Sequence, residues 1–400
     1  MKSATAVSYE LDDIAAATEE LVSQIRSKMV QGKNTVAILH GQPDMEIGEL
    51  CSGISRELGC HVTGGTAAAG AVLTEEGYHE LAVVLHVLSD DDCLFSAAIS
   101  GSMAENPEKE IIDTYNKAYA DLKELDAAAE PKMVICVGTL LQSMACDNVL
   151  VKISELCGDL PVFGYIAGDD FEFSKQQVYL DDAIGSDKLS IVLVAGNVKP
   201  IFKTANLQGE KALEKRLVTK AHDNIICEIE GEPAYEYIKV FPFIDDESTV
   251  LFNYQFFVEV PDDEYNDGIP VSRALSSYDK ETGEVTCFAN VPENSYIGLL
   301  YCTGNDVAAT SENGIREFIQ KLNEAGGDYE YTTVLITTCS LRNMFLADIK
   351  ATEGDLVREL FPPNLSVSGL YAFGEIAPTS IQDSKAVNRF HNATFTVCAF

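Results

Sequence analysis

Pro161-Val162-Phe163-Gly164-Tyr165-Ile166-Ala167-Gly168-Asp169-Asp170 is a short apolar run that breaks into a glycine-rich loop. The same event occurs twice more. His61-Val62-Thr63 runs into Gly64-Gly65-Thr66-Ala67-Ala68-Ala69-Gly70, and Val367-Ser368 runs into Gly369-Leu370-Tyr371-Ala372-Phe373-Gly374-Glu375-Ile376. Each is preceded by a buried-strand run (Thr35–Leu39, Met133–Val137, Thr333–Thr338) and a helical segment (about 46–58, about 144–157, Glu353–Leu360). The chain therefore repeats one unit three times: strand, helix, short strand, glycine loop, then hairpin or strand. Glycines at these places permit a tight turn or close packing.

Working outward, Leu11, Ile14, Leu21, Val22, Ile25 and Met29 stand at helical spacing over residues 11–31. Asn106-Pro107-Glu108 opens another helix with a capping Asn, Pro at the first position and an acid in the first turn. A helix over about 308–325 ends at Gly326-Gly327. The runs 81–88 and 93–99, joined by Ser89-Asp90-Asp91-Asp92, read as a hairpin. Further strands are expected at 177–180, 189–194, 201–207, 296–301 and 394–400. The fold class is α/β (α+β), with repeated units forming mixed sheets covered by helices. Lys211, Lys215, Arg216 and Lys220 change the local composition and set a boundary at 208–220, between domains 1–207 and 221–400. Residues 245–267 hold eight acidic groups and no Lys or Arg, which predicts a solvated edge, or a strand flanked by loops.

Of the 400 residues, 63 are acidic and 28 basic, a formal charge of −35. Such a surface repels phosphate backbones and anionic headgroups, so neither nucleic acid nor membrane is expected as a partner. No apolar run reaches the ~20 residues of a membrane span, and the N-terminal residues lack the apolar centre of a signal peptide. The 11 cysteines form no Cys-x-x-Cys pair. Many sit in apolar runs, as small hydrophobes of a reducing cytoplasm. Neither P-loop, Gly-x-Gly-x-x-Gly, His-Glu-x-x-His nor Gly-x-Ser-x-Gly occurs, so no cofactor and no metal are expected. Asp169-Asp170 reads as a turn pair rather than a magnesium site.

Cys339-Ser340-Leu341-Arg342 follows a strand, then come Gly369–Pro378 and Phe390-His391-Asn392-Ala393-Thr394. This order resembles the C-terminal half of the FIST family (F-box and intracellular signal transduction proteins). The loops at 64–70 and 164–170 resemble the two glycine loops of its N-terminal half, although Tyr165 stands where the family often has a second Gly. Gly231-Glu232-Pro233-Ala234 is similar to the start of the C-terminal half, and Val271-Ser272-Arg273 to its central Arg strand. The resemblance covers residues 30–400 and carries no kinase, cyclase, chemoreceptor or F-box segment. It implies a sensory module that binds a small ligand such as an amino acid.

The residues so marked have readable chemistry. Arg342 at a strand end, or Arg273, can hold a ligand carboxylate through paired hydrogen bonds, or form a structural ion pair such as Arg342 with Glu375. Glu375, between glycine and apolar neighbours, can receive a ligand ammonium. Asn392 can brace a loop or meet a polar ligand. Tyr371 can wall a pocket or pack in the core. His391 and Cys339 raise an enzyme reading, as base or nucleophile, against the simpler one of buried or bonded groups. The expected function is ligand sensing without turnover, read out by a separate signalling protein or through a homodimer. An enzyme on a small polar metabolite and an acidic interaction scaffold are the alternatives.

Overall fold

The structure, a computed structural model, describes residues 1–240, 253–260, 268–327 and 329–400. Three six-stranded sheets carry the three repeats. The first runs in the order Lys2–Ser8, Val83–Asp90, Asn34–Gly41, His61–Thr66, Val178–Leu180, Ala183–Gly185. The second runs Leu94–Ile99, Leu189–Ala195, Pro131–Gly138, Val162–Ile166, Gly374–Gln382, Lys385–His391. The third runs Ile201–Ala205, Phe395–Ala399, Thr333–Cys339, Ser366–Ala372, Ala71–Thr74, Gly77–Glu80. In each, the third and fourth strands are parallel and every other pair is antiparallel.

The last two strands of each sheet are a hairpin from another repeat. The first repeat gives its hairpin to the third sheet, the second to the first, and the third to the second. The exchange is cyclic and gives the molecule approximate threefold order. Register makes the repeats superimposable by residue. Leu39 pairs with Gly64, Cys136 with Gly164 and Ile336 with Gly369. A Cβ at these glycines falls 1.9, 1.8 and 2.7 Å from the carbonyl oxygens of Leu39, Cys136 and Ile336. The recurring glycine thus allows the two parallel backbones of every sheet to approach.

Helices cover the outer faces. Ile14–Lys28 and Ile47–Leu58 pack on the first sheet, with Leu21, Ile25, Leu50 and Ile54 buried. Pro107–Leu125, capped by Asn106, and Cys146–Cys157 cover the second. Gly304–Gly326, Ser340–Asp348 and Glu353–Leu360 cover the third. The inner faces meet in one core that joins Ile38, Ile135, Phe163, Leu335 and Cys398 from all three sheets. A fourth, seven-stranded sheet is inserted in the third repeat: Glu210–His222, Tyr296–Tyr301, Tyr254–Glu259, Val271–Tyr278, Val285–Cys287, Ile225–Ile229, Glu232–Pro233. The basic segment 208–220 lies mostly in its first strand.

Four expectations are corrected. The runs 81–88 and 93–99 are not a hairpin. Val83–Asp90 pairs with Lys2–Ser8 and Asn34–Gly41, while Leu94–Ile99 joins Leu189–Ala195. The Asp90 carboxylate accepts from Asp92 N and Cys93 N, and this turn carries the chain from one sheet to the next. Lys2–Ser8 is a strand, and the first helix begins only at Ile14. Arg342 is not at a strand end, because the strand stops at Cys339 and a helix starts at Ser340. Within the acidic stretch 245–267, Tyr254–Glu259 sits between two strands instead of at an edge. Residues 245–252 and 261–267 of that stretch lie outside the described residues.

Candidate functional site

All seven residues marked in the sequence are buried. Thr333–Cys339 and Ser366–Ala372 run parallel, and their C-terminal ends deliver Cys339 and Tyr371 to one place. The hairpin Gly374–Gln382/Lys385–His391 then sets Glu375 opposite His391. Ligand crevices of α/β sheets lie at such strand ends.

Arg342, in the first turn of helix Ser340–Asp348, is fully buried against an equally buried Glu353, with Nε 2.8 Å from Oε1. Its remaining nitrogens donate to the carbonyl of Ala393 (3.0 Å), the Ser311 hydroxyl (2.6 Å), and more weakly to Val307 and Thr310. Glu353 also accepts from Ser311 and Thr338. The structural ion pair is therefore real, but its acid is Glu353, not Glu375. Sequence reasoning missed Glu353 because an acid in a first helical turn reads as a solvated partner of the helix dipole.

Arg273 does not join this cluster. Its guanidinium meets the carboxylate of Asp147 at 3.2 Å and donates to the carbonyls of Asn290, Ser272 and Phe390. Asp147 in turn accepts from Asn290 N. Burial pulls the Arg273 pKa down and pushes Asp147 up, with the partner's charge opposing each shift. The two arginines hold one short segment from its two ends. Arg273 binds the carbonyl of Phe390 and Arg342 that of Ala393, whose backbone is left-handed at φ 57°. His391 and Asn392 lie between.

Glu375 is the unusual group. Its Oε2 accepts from Thr394 N (3.1 Å) and Thr394 Oγ1 (2.7 Å), and its Oε1 has no hydrogen-bond partner. Burial pushes this carboxyl up to about 8, against the pull of the Thr394 bonds, the Arg342 charge and a bond from the Cys339 thiol. His391 Nε2 donates to the carbonyl of Ala377 at 3.1 Å, a carbonyl being able only to accept. Asn392 Nδ2 donates to the His391 carbonyl, while its Oδ1 is buried without a partner. Tyr371 packs edge-on to Tyr78 with ring centroids 6.2 Å apart. The Cys339 thiol is pushed up, first by burial and then by the charge of Glu375, which removes the thiolate that a nucleophile needs.

Tyr165 lies in the core and lines a cavity of about 20 Å³, its hydroxyl 3.4 Å from His40 Nδ1. Asp169 is a turn residue, accepting from the backbone N–H groups of Phe173, Ser174 and Lys175. Among the described residues, no three His, Cys, Asp or Glu side chains are grouped to hold a metal ion.

The FIST N domain model matches residues 35–232 and the FIST C domain model matches residues 234–378. The chain belongs to the FIST family. FIST domains are associated with signal transduction and with the sensing of small ligands. No curated protein matches the chain. The FIST C match contains Arg273, Cys339, Arg342, Tyr371 and Glu375, whereas Asp147 belongs to the FIST N match. His391 and Asn392 lie beyond both matches, as do the strands Lys2–Ser8 and Phe395–Ala399 that complete two of the FIST sheets.

Proposed function

We propose that this FIST protein is a cytoplasmic sensor that binds an amine or amino acid-like metabolite without turnover, and that a separate protein reads the bound state. The observation that carries this reading is Glu375, a sealed carboxyl group at the ends of parallel strands with one oxygen lacking a partner. With its pKa raised to about 8 it holds a proton at neutral pH, and an ammonium group brought to Oε1 favours the ionised form. Asn392 Oδ1 offers a second acceptor. Both guanidiniums are engaged with protein carboxylates and carbonyls, so the ammonium end of an amino acid is the end recognised. A ligand reaches a sealed group only in an opened state, and binding shifts the population toward that state. This is the change that a partner can read. All 11 cysteines are free thiols, which supports a reducing compartment. No helix among the described residues is long and apolar enough to cross a membrane.

A thermal-shift series with primary amines, amino acids and organic acids tests the reading. Amines and amino acids stabilise the protein, by roughly 2.7 kcal/mol at a hundredfold excess over Kd, and organic acids do not. Binding at pH 7 releases a proton, measured by calorimetry in buffers of different ionisation heat. A Glu375→Gln variant that folds and keeps full affinity for the stabilising amine overturns the assignment.

A further inference from the structure

Phe171-Glu172-Phe173 places two aromatic side chains where the fold does not bury them. The loop after strand Val162–Ile166 leaves Phe171 39% and Phe173 47% exposed. Both residues also take left-handed backbone, at φ 62° and 56°. Bulky side chains avoid that region, which Gly and Asn enter more easily. The buried Asp169 carboxylate fixes the bend by accepting from the N–H groups of Phe173, Ser174 and Lys175. Strained backbone of this kind persists only where its surroundings hold it, and it clusters at binding sites.

Two further rings complete a patch. Phe373, whose N–H donates to the carbonyl of Ile166, has its ring centroid 5.7 Å from that of Phe171 and 4.8 Å from that of Phe173. Phe288, 37% exposed and just after strand Val285–Cys287 of the inserted sheet, stacks on Phe173 at 6.4 Å. Rings from the second repeat, the third repeat and the insertion thus meet at one place on the surface. A cleft of about 380 Å³ walled by Leu140, Leu141 and Phe173 opens beside them. Scattered exposed rings need no explanation, but a contiguous patch marks a place of interaction. At ~200 Å² per Phe side chain, the three exposed rings present roughly 250 Å². A standard interface covers about 800 Å² on each partner. The patch is too small to hold a second copy of the chain, and it suits one or two apolar side chains of a short segment. Its rim is acidic. Asp170 and Glu172 flank Phe171 in the chain, and Asp187 lines the cleft with Phe173. Lys175 is already paired with Glu172 at 3.1 Å and Asp44 at 3.6 Å.

We infer that this patch docks a partner protein through a short basic segment that carries a large apolar anchor. The anchor enters the cleft against Phe173, and flanking Lys or Arg side chains meet Asp170, Glu172 and Asp187 and lie on the ring faces. Phe373 runs directly into the strand Gly374–Gln382 that carries Glu375, so the patch adjoins the amine site. The inference goes beyond the sensing reading and stands without it, since docking needs neither Glu375 nor a bound amine.

The chain contains no Trp, so an indole carried by a probe peptide can be excited selectively. The whole protein is titrated into acetyl-Lys-Arg-Trp-Leu-Arg-Lys-amide and acetyl-Glu-Glu-Trp-Leu-Glu-Glu-amide. The basic peptide binds with blue-shifted emission, about tenfold or more tightly than the acidic one. The double variant Phe171→Asn/Phe173→Asn removes both rings and suits the left-handed backbone. It keeps the Tm of the parent and weakens the basic peptide about tenfold or more. Asp170→Asn/Glu172→Gln, at exposed carboxylates, weakens it several-fold. No blue shift with the basic peptide at millimolar concentration, or equal affinity for the two peptides, overturns the proposal. Unchanged affinity in the Asn variant assigns binding to the acidic surface at large and overturns it too, and a lower Tm in that variant does the same by making the rings part of the fold. A dimer in sedimentation that the Asn variant dissolves assigns the patch to a second copy, which also overturns it.

Discussion

Arg342 shows how a motif residue acquires its role from burial. A guanidinium at a strand end suits a ligand carboxylate, yet here Glu353 is inside the molecule with it and both are fully covered. Two charges taken out of water hold each other and five neighbouring oxygens supply the remaining bonds. Removing one partner strands the other. Arg342→Met is therefore expected to lower stability by about 3–5 kcal/mol, because Glu353 stays behind without its counter-charge. Urea denaturation of Arg342→Met, Glu353→Gln and the double variant checks this. The double variant is expected to lose much less than the sum of the two single losses. Glu375 is the opposite case, a carboxyl with too few bonds, and that shortage makes it the ligand candidate.

Among the elements, the parallel strand pair is the part that recurs most strictly. Its glycine is required by the partner's backbone, not by a turn. Gly164 in the strand Val162–Ile166 faces the Cys136 carbonyl so closely that an added methyl cannot fit without moving main chain. Gly164→Ala is expected to cost at least about 2 kcal/mol, an overpacking effect against rigid backbone. Gly59 ends the helix Ile47–Leu58 in left-handed backbone with open space around its Cβ position. There, Gly59→Ala is expected to cost only about 1 kcal/mol, the backbone preference alone. Thermal unfolding of both variants separates these two uses of glycine. Equal losses would mean that the strands slide apart readily.

For the whole molecule, the consequence of three sheets closing on one core is a sealed polar centre. His40 and His86 are fully buried there, beside Tyr165 and Ser368 respectively, and burial pushes both down to about 3 from 6.5. The unfolded chain binds these protons first as the pH falls below 6.5. Stability is thus complete above that pH and is lost progressively toward pH 3, at up to about 1.4 kcal/mol per pH unit for each histidine. Register puts Val137 of the second repeat and Thr337 of the third where the first has His40. His40→Val borrows the second repeat's solution and is expected to remove roughly half of this acid loss, since His86 still titrates. Stability curves from pH 4 to pH 7 test the expectation, and an unaltered slope would place the acid sensitivity elsewhere.

Several features of this protein can be read from residues close together in the chain. The three glycine-marked units, the helix opened by Asn106-Pro107-Glu108, the turn at Asp169, the absence of standard cofactor motifs and the kinship with FIST proteins all rest on local patterns. Local geometry responds to periodicity, caps and backbone preference within a turn or two. What only the tertiary structure decided is which partner each element meets. A strand's hydrogen-bonding edge carries no address, so nothing in 81–99 distinguishes a hairpin from a crossing between sheets. The same holds for the hairpins that each repeat lends to another sheet. Charge pairing is equally non-local. Arg342 met Glu353 and not Glu375 because the first turn of helix Glu353–Leu360 brings Glu353 against Thr338 and Arg342. The rings of Phe171 and Phe173 met those of Phe288 and Phe373, which come from two distant segments of the chain. Both outcomes depend on contacts made by the complete fold, where the energy of burial is settled for all repeats together.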